Sequence, residues 1–119
     1  MSEKIACMVR GGEAGRLTQE AAIAFAKQTG KQLVFLHIIY PERLTLVNKE
    51  LAQPALVELT WLGRLNLSMA RQRAETENVK PELVILNGPI MDTVLAYLTE
   101  NQVERLFLGL PREDLGKLV

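Results

Sequence analysis

The chain has 119 residues, 48% hydrophobic and 24% charged, and its 14 basic and 14 acidic residues leave no formal net charge. That size is one compact domain, residues 1–119, able to bury a core without staples. The even balance and the lack of any polybasic run give no electrostatic case for binding nucleic acid or an anionic membrane surface.

The single cysteine, Cys7, has no internal partner for a disulfide, and the single histidine, His37, excludes a His-rich metal site. The start, Met1-Ser2-Glu3-Lys4, lacks the positive region and apolar stretch of a signal peptide, and no apolar run approaches the roughly 20 residues of a spanning helix. The expectation is a cytoplasmic, soluble protein without a membrane partner.

In chain order, Ile5 to Val9 (IACMV) is apolar on both faces, as a central strand of a covered parallel sheet would be, and it ends at Gly11-Gly12. Glu13 to Thr29 carries Leu17, Ala21, Ala24 and Phe25 at helical spacing, with Gly30 as the stop. Gln32 to Ile39 (QLVFLHII) is a second buried strand, closed by Pro41. In the long segment Leu44 to Asn78, Pro54 marks a position near a helix start. Ala55, Leu59, Leu62, Met69 and Arg73 then follow one face. Leu56, Trp61, Leu65 and Leu67 add more apolar surface than one face needs, read either as a wide core contact or as a partner surface. Glu82 to Leu86 (ELVIL) is a third strand, Gly88-Pro89 opens a helix with Ile90, Val94 and Leu98 inward, and Glu104 to Leu108 is a fourth strand. Strand and helix alternate throughout, which argues for a parallel α/β sheet with right-handed crossovers.

Lys4-Ile-Ala-Cys-Met-Val-Arg-Gly-Gly-Glu13, the Leu33-Val-Phe-Leu-His-Ile-Ile39 strand, Leu83-Val-Ile-Leu-Asn-Gly-Pro89 and Val103-Glu-Arg-Leu-Phe-Leu-Gly109 together resemble the universal stress protein family, from about Lys4 to Arg112. The resemblance implies a flavodoxin-like doubly wound parallel sheet with helices on both faces, four of its strands in this chain. It also implies a homodimer and a ligand crevice beyond the carboxyl ends of the strands, where the strand order reverses. The loops Arg10-Gly11-Gly12 and Gly109-Leu110-Pro111-Arg112 would meet there, with Ile38 at the end of the second strand beside them.

Family members that bind ATP carry an aspartate after the first strand, then Gly-x-x-Gly and a later Gly-Ser or Gly-Thr, so that backbone N–H groups can approach phosphate. Here Arg10 replaces the aspartate, Gly109 matches the first glycine, Arg112 replaces the second, and the last glycine would fall past Val119. The expectation is no resident cofactor and no enzymatic activity, with contacts to other protein chains instead. The alternative is a site for ATP, AMP, a cyclic dinucleotide or another anion, held by Arg10, Gly11, Gly12, Ile38, Gly109 and Arg112, with the guanidinium forks standing in for backbone amides.

Against that alternative stands solvent pairing of Arg10 with Glu13 and of Arg112 with Glu113 or Asp114. Gly11-Gly12 serves a tight turn as readily as a ligand, His37 reads as a hydrogen-bonded core residue, and Cys7 as buried and inert. No nucleophile stands at a spacing that gives it a base. The edge of the last strand, Val103 to Leu108, is expected to be covered by the tail Leu115–Val119 or by a second subunit. Val103 to Arg112 also looks like stress-protein-like sensor domains appended to sensor kinases and ion transporters.

Overall fold

Four strands and three helices alternate along the chain in a computed structural model, which describes residues 3–10, 12–40 and 49–109. They are β1 (Lys4–Met8), α1 (Gly12–Thr29), β2 (Gln32–Ile39), α2 (Lys49–Thr76), β3 (Glu82–Asn87), α3 (Ile90–Glu100) and β4 (Val103–Phe107). The sheet is parallel throughout, in the order β3-β2-β1-β4. The expected strands are all present, with bounds shifted by a residue or so.

The two strands that are apolar on both faces occupy the centre, as their composition requires. Ile5, Cys7, Leu33 and Phe35 point to one face and are fully buried under α1 and α2. Ala6, Val34 and Leu36 alternate to the other face and meet Tyr97 of α3. The right-handed crossover rule accounts for the layers. The chain steps from β1 to β2 to β3 in one direction, which puts α1 and α2 on one side, and then returns past β1 to β4, which puts α3 on the other.

The helix faces differ from the periodicity reading. In α1 the inward residues are Gly15, Gln19, Ala22, Ile23 and Ala26, while Leu17 stands 55% exposed and Ala21 and Ala24 face water. Only Phe25 of the expected face packs inward, tilted against Phe107 with ring centroids 5.8 Å apart. At the start of the helix the approach is close: a Cβ on Gly15 would lie 2.0 Å from the Arg10 carbonyl oxygen, and Ile23 is the one large aliphatic side chain on the buried face.

In α2 the seam is Gly63, Leu67, Ala70 and Ala74. Leu59, Leu62, Leu65, Met69 and Trp61 are all at least 40% exposed, so the wide-core reading of this helix is wrong. Pro54 lies inside α2, a turn and more after its start at Lys49. In α3, Val94 and Tyr97 are buried, Leu98 is half-buried and Ile90 is exposed.

Candidate functional site

In a sheet of this order the chain reverses direction between β1 and β4, and their carboxyl ends frame a crevice. Val9 leaves β1 with its N–H donating to the Leu36 carbonyl at 2.8 Å, and the chain turns out at Arg10. Across the gap, β4 runs through Leu108 to Gly109. Arg10 reaches over it: its Nη1 donates to the Gly109 carbonyl oxygen at 3.5 Å. The structure thus brings Arg10 and Gly109 together, and Gly12 opens α1 two residues after Arg10. Glu13, the expected partner of Arg10, bonds Arg16 instead, and that contact holds its carboxyl below the usual carboxylate range. Ile38 lies near the carboxyl end of β2, the strand next to β1, and pairs with Leu86 of β3 on its other side. Gly11 and Arg112, and the Leu115–Val119 tail, lie outside the described residues.

Both loops need glycine for backbone reasons. Gly12 and Gly109 have φ of 84° and 70°, the left-handed region that side chains avoid. Gly109 also lies so close to α1 that a Cβ there would meet Thr18 Oγ1 at 2.4 Å. Backbone conformation and packing both act on this strand-end glycine.

Beneath Arg10 lies a polar relay that the sequence reading missed. Gln19, 2% exposed, donates from Nε2 to the Arg10 carbonyl at 3.5 Å and accepts from Arg73 Nη1 at 2.6 Å. A buried amide is stable only when bonded in this way. The relay ties the first loop to both helices of one layer. The one available signal was Gln19 among Ala22, Ile23 and Ala26, visible only once the correct face of α1 is known.

His37 sits on β2 with Nδ1 3.3 Å from the Val9 carbonyl oxygen. A carbonyl can only accept, so the ring carries a proton on Nδ1. Its other edge lies flat on α2, where a Cβ on Gly63 would meet Cδ2 at 2.4 Å. The histidine is a hydrogen-bonded spacer between strand and helix, as its apolar setting implied. Cys7 is wholly buried, and desolvation pushes its thiol up to about 12. Among the described residues, no group of three or more His, Cys, Asp or Glu side chains could hold a metal, and no helix is long and apolar enough to cross a membrane.

Hollows on the described surface lie away from the crevice, two of them beside α1. One, of about 370 Å³, runs between α1 and α2 beside Ile23, Ala24, Arg73 and Thr76. The other, of about 570 Å³, is at the amino-terminal end of the sheet near Lys27, Lys31 and Lys80.

The fold and crevice define a doubly wound parallel α/β protein with its loops converging at the switch point. The model of the universal stress protein family matches residues 1–119, and the chain belongs to that family. Solved structures share the fold. The hypothetical protein MJ0577, solved for a structure-based assignment of biochemical function, has a TM-score of 0.73 at 17% identity, covering 90% of this chain and 74% of that one. The universal stress protein UspA from Lactobacillus plantarum gives 0.67 at 16% identity, with 91% and 77% covered. A universal stress protein family member from Burkholderia pseudomallei gives 0.64 at 14% identity, with 91% and 81% covered. No curated protein matches this chain in sequence.

Proposed function

We propose that this universal stress protein is a non-enzymatic binding and regulatory module that acts through contacts with other protein chains, in the cytoplasm and without a resident nucleotide. The observation that carries the reading is Arg10. Where nucleotide-binding relatives are expected to present an aspartate, this chain has a guanidinium lying across the crevice onto the Gly109 carbonyl. Phosphate recognition by a strand-end loop relies on free backbone N–H groups facing the crevice, and here the loop's carbonyl faces a cation. Calorimetry with ATP and Mg²⁺ tests it: no heat of binding at 100 µM protein is expected, and a Kd below about 10 µM would overturn it.

The β4 edge is one surface on which a partner chain, including a second copy, could add a strand. Strand-disrupting Leu106→Pro, compared with wild type by solution mass, tests that contact.

A second reading keeps anion or nucleotide binding, supported by the left-handed glycines Gly12 and Gly109 on either side of Arg10. ATP, AMP or a cyclic dinucleotide would then raise the melting temperature, and replacing Arg10 and Arg112 by alanine would abolish the rise. A rise that survives the double replacement sinks this reading.

A further inference from the structure

The first buried residue of α2 is Gly63, against His37 near the carboxyl end of β2. No described residue from Glu50 to Leu62 is buried, so the first half of the helix runs on past the sheet as an arm. Along one flank of α2, Leu51, Ala55, Leu59, Leu62, Leu65 and Met69 recur at intervals of four, four, three, three and four. Leu51 and Met69 are about five turns apart and therefore on one line. The five large side chains of this stripe are 62, 40, 46, 42 and 43% exposed in chain order. Surfaces of this kind on a single chain mark a contact.

We propose that the stripe is the seat of a second copy of this chain, docked antiparallel about a two-fold axis at Leu62. The spacing argues for a copy over any other occupant, because it is palindromic. With Leu62 on the axis, Leu59 of each chain faces Leu65 of the other, and small Ala55 faces large Met69. One step further out, Leu51 faces Arg73, whose guanidinium is already engaged by Gln19 and whose stem borders the α1–α2 groove. The arm of each copy thus reaches the groove of the other, which gives the self-complementary contact that a two-fold interface requires. All six positions of the stripe are uncharged, so its closure buries no like-charged pair. A helix of 28 residues is about 42 Å long, and contact along it approaches the roughly 800 Å² per partner of a specific interface. This contact is separate from the β4 edge. It rests on the reading of the chain as a module acting through protein contacts, but its test is independent of nucleotide binding.

The test is solution mass by light scattering from 10 to 200 µM, with folding followed by circular dichroism. Wild type is expected to be a dimer and Leu62→Glu a monomer with an unchanged spectrum. A wild-type monomer at 200 µM, or a dimer that survives Leu62→Glu as an edge-paired one would, overturns the proposal. Cysteine variants decide if Leu62→Glu does not fold, since native Cys7 is buried and does not compete. Under mild oxidation Leu62→Cys should link to its own copy at least tenfold faster than Arg64→Cys on the opposite flank, and equal rates would overturn the proposal. ATP binding alongside an unaffected dimer would remove the nucleotide-free reading and leave this interface standing.

Discussion

Individual residues here are constrained mainly by how closely backbones approach. Gly15 supports the Arg10 carbonyl at a distance where even a methyl group does not fit. Gly15→Ala is expected to cost about 3 kcal/mol in urea unfolding, the upper part of the overpacking range, because the obstacle is backbone. Gly63→Ala meets a side chain, the His37 ring, which can turn away, so about 1–2 kcal/mol is expected together with loss of the Nδ1–Val9 bond. Imidazole NMR of the variant checks the second part.

Cys7 makes a pH prediction whose sign follows from burial. Its thiol rises from 9.0 to about 12 in the fold, so the unfolded chain ionises first. The group's contribution is intact below pH 9 and is lost between pH 9 and 12. The stability advantage of wild type over Cys7→Ala should shrink by about 1.4 kcal/mol per pH unit above 9. An advantage constant to pH 10.5 would contradict the burial.

At the scale of elements, the helices were legible as helices, but their inner faces were not. Periodicity in α1 selects the leucine and alanine positions, yet the buried face is Gly15, Gln19, Ala22, Ile23 and Ala26, with the closest approach at Gly15 and a bonded glutamine in its middle. In α2 the apolar residues outnumber the seam, and only packing reveals that Leu67 belongs to the core and Leu62 to the surface. Pro54 inside α2 removes a backbone donor and crowds the preceding turn. Pro54→Ala should therefore stabilise the arm by about 1–3 kcal/mol, read as slower amide exchange over residues 50–60. Unchanged exchange there would mean that the arm gains nothing from an unbroken helix. In α3, the Tyr97 hydroxyl is buried without a hydrogen-bond partner among the described residues, and burial raises its pKa. Tyr97→Phe should be neutral or stabilising by up to about 1 kcal/mol in thermal unfolding.

For the whole molecule, β4 is the last strand on one side of the sheet among the described residues, and it has features that blunt an edge. It is five residues long, and its exposed Glu104 and Arg105 are occupied by Lys31 and by the Phe25 ring, 4.4 Å away. Short length and charge weaken strand addition, whereas the α2 stripe is long and apolar. Of the two surfaces, the helix has more to gain from being covered, because the free energy of association comes mainly from apolar area removed from water.

The order of strands and helices, the central place of the two fully apolar strands and the family were all legible in the residues. Alternating apolar runs and glycine stops permit few parallel arrangements. The location of the crevice was implied by the family resemblance, and Arg10 and Gly109 were found from their places in the family's strand order. What they do to one another was decided by the tertiary structure, since a contact from Arg10 to the Gly109 carbonyl depends on the distance between strand ends and not on spacing along the chain. The same holds for Gln19 and Arg73, remote in sequence and bonded in space. It holds too for the apolar flank of α2, because a leucine reads the same in sequence whether the fold covers it or leaves it to water.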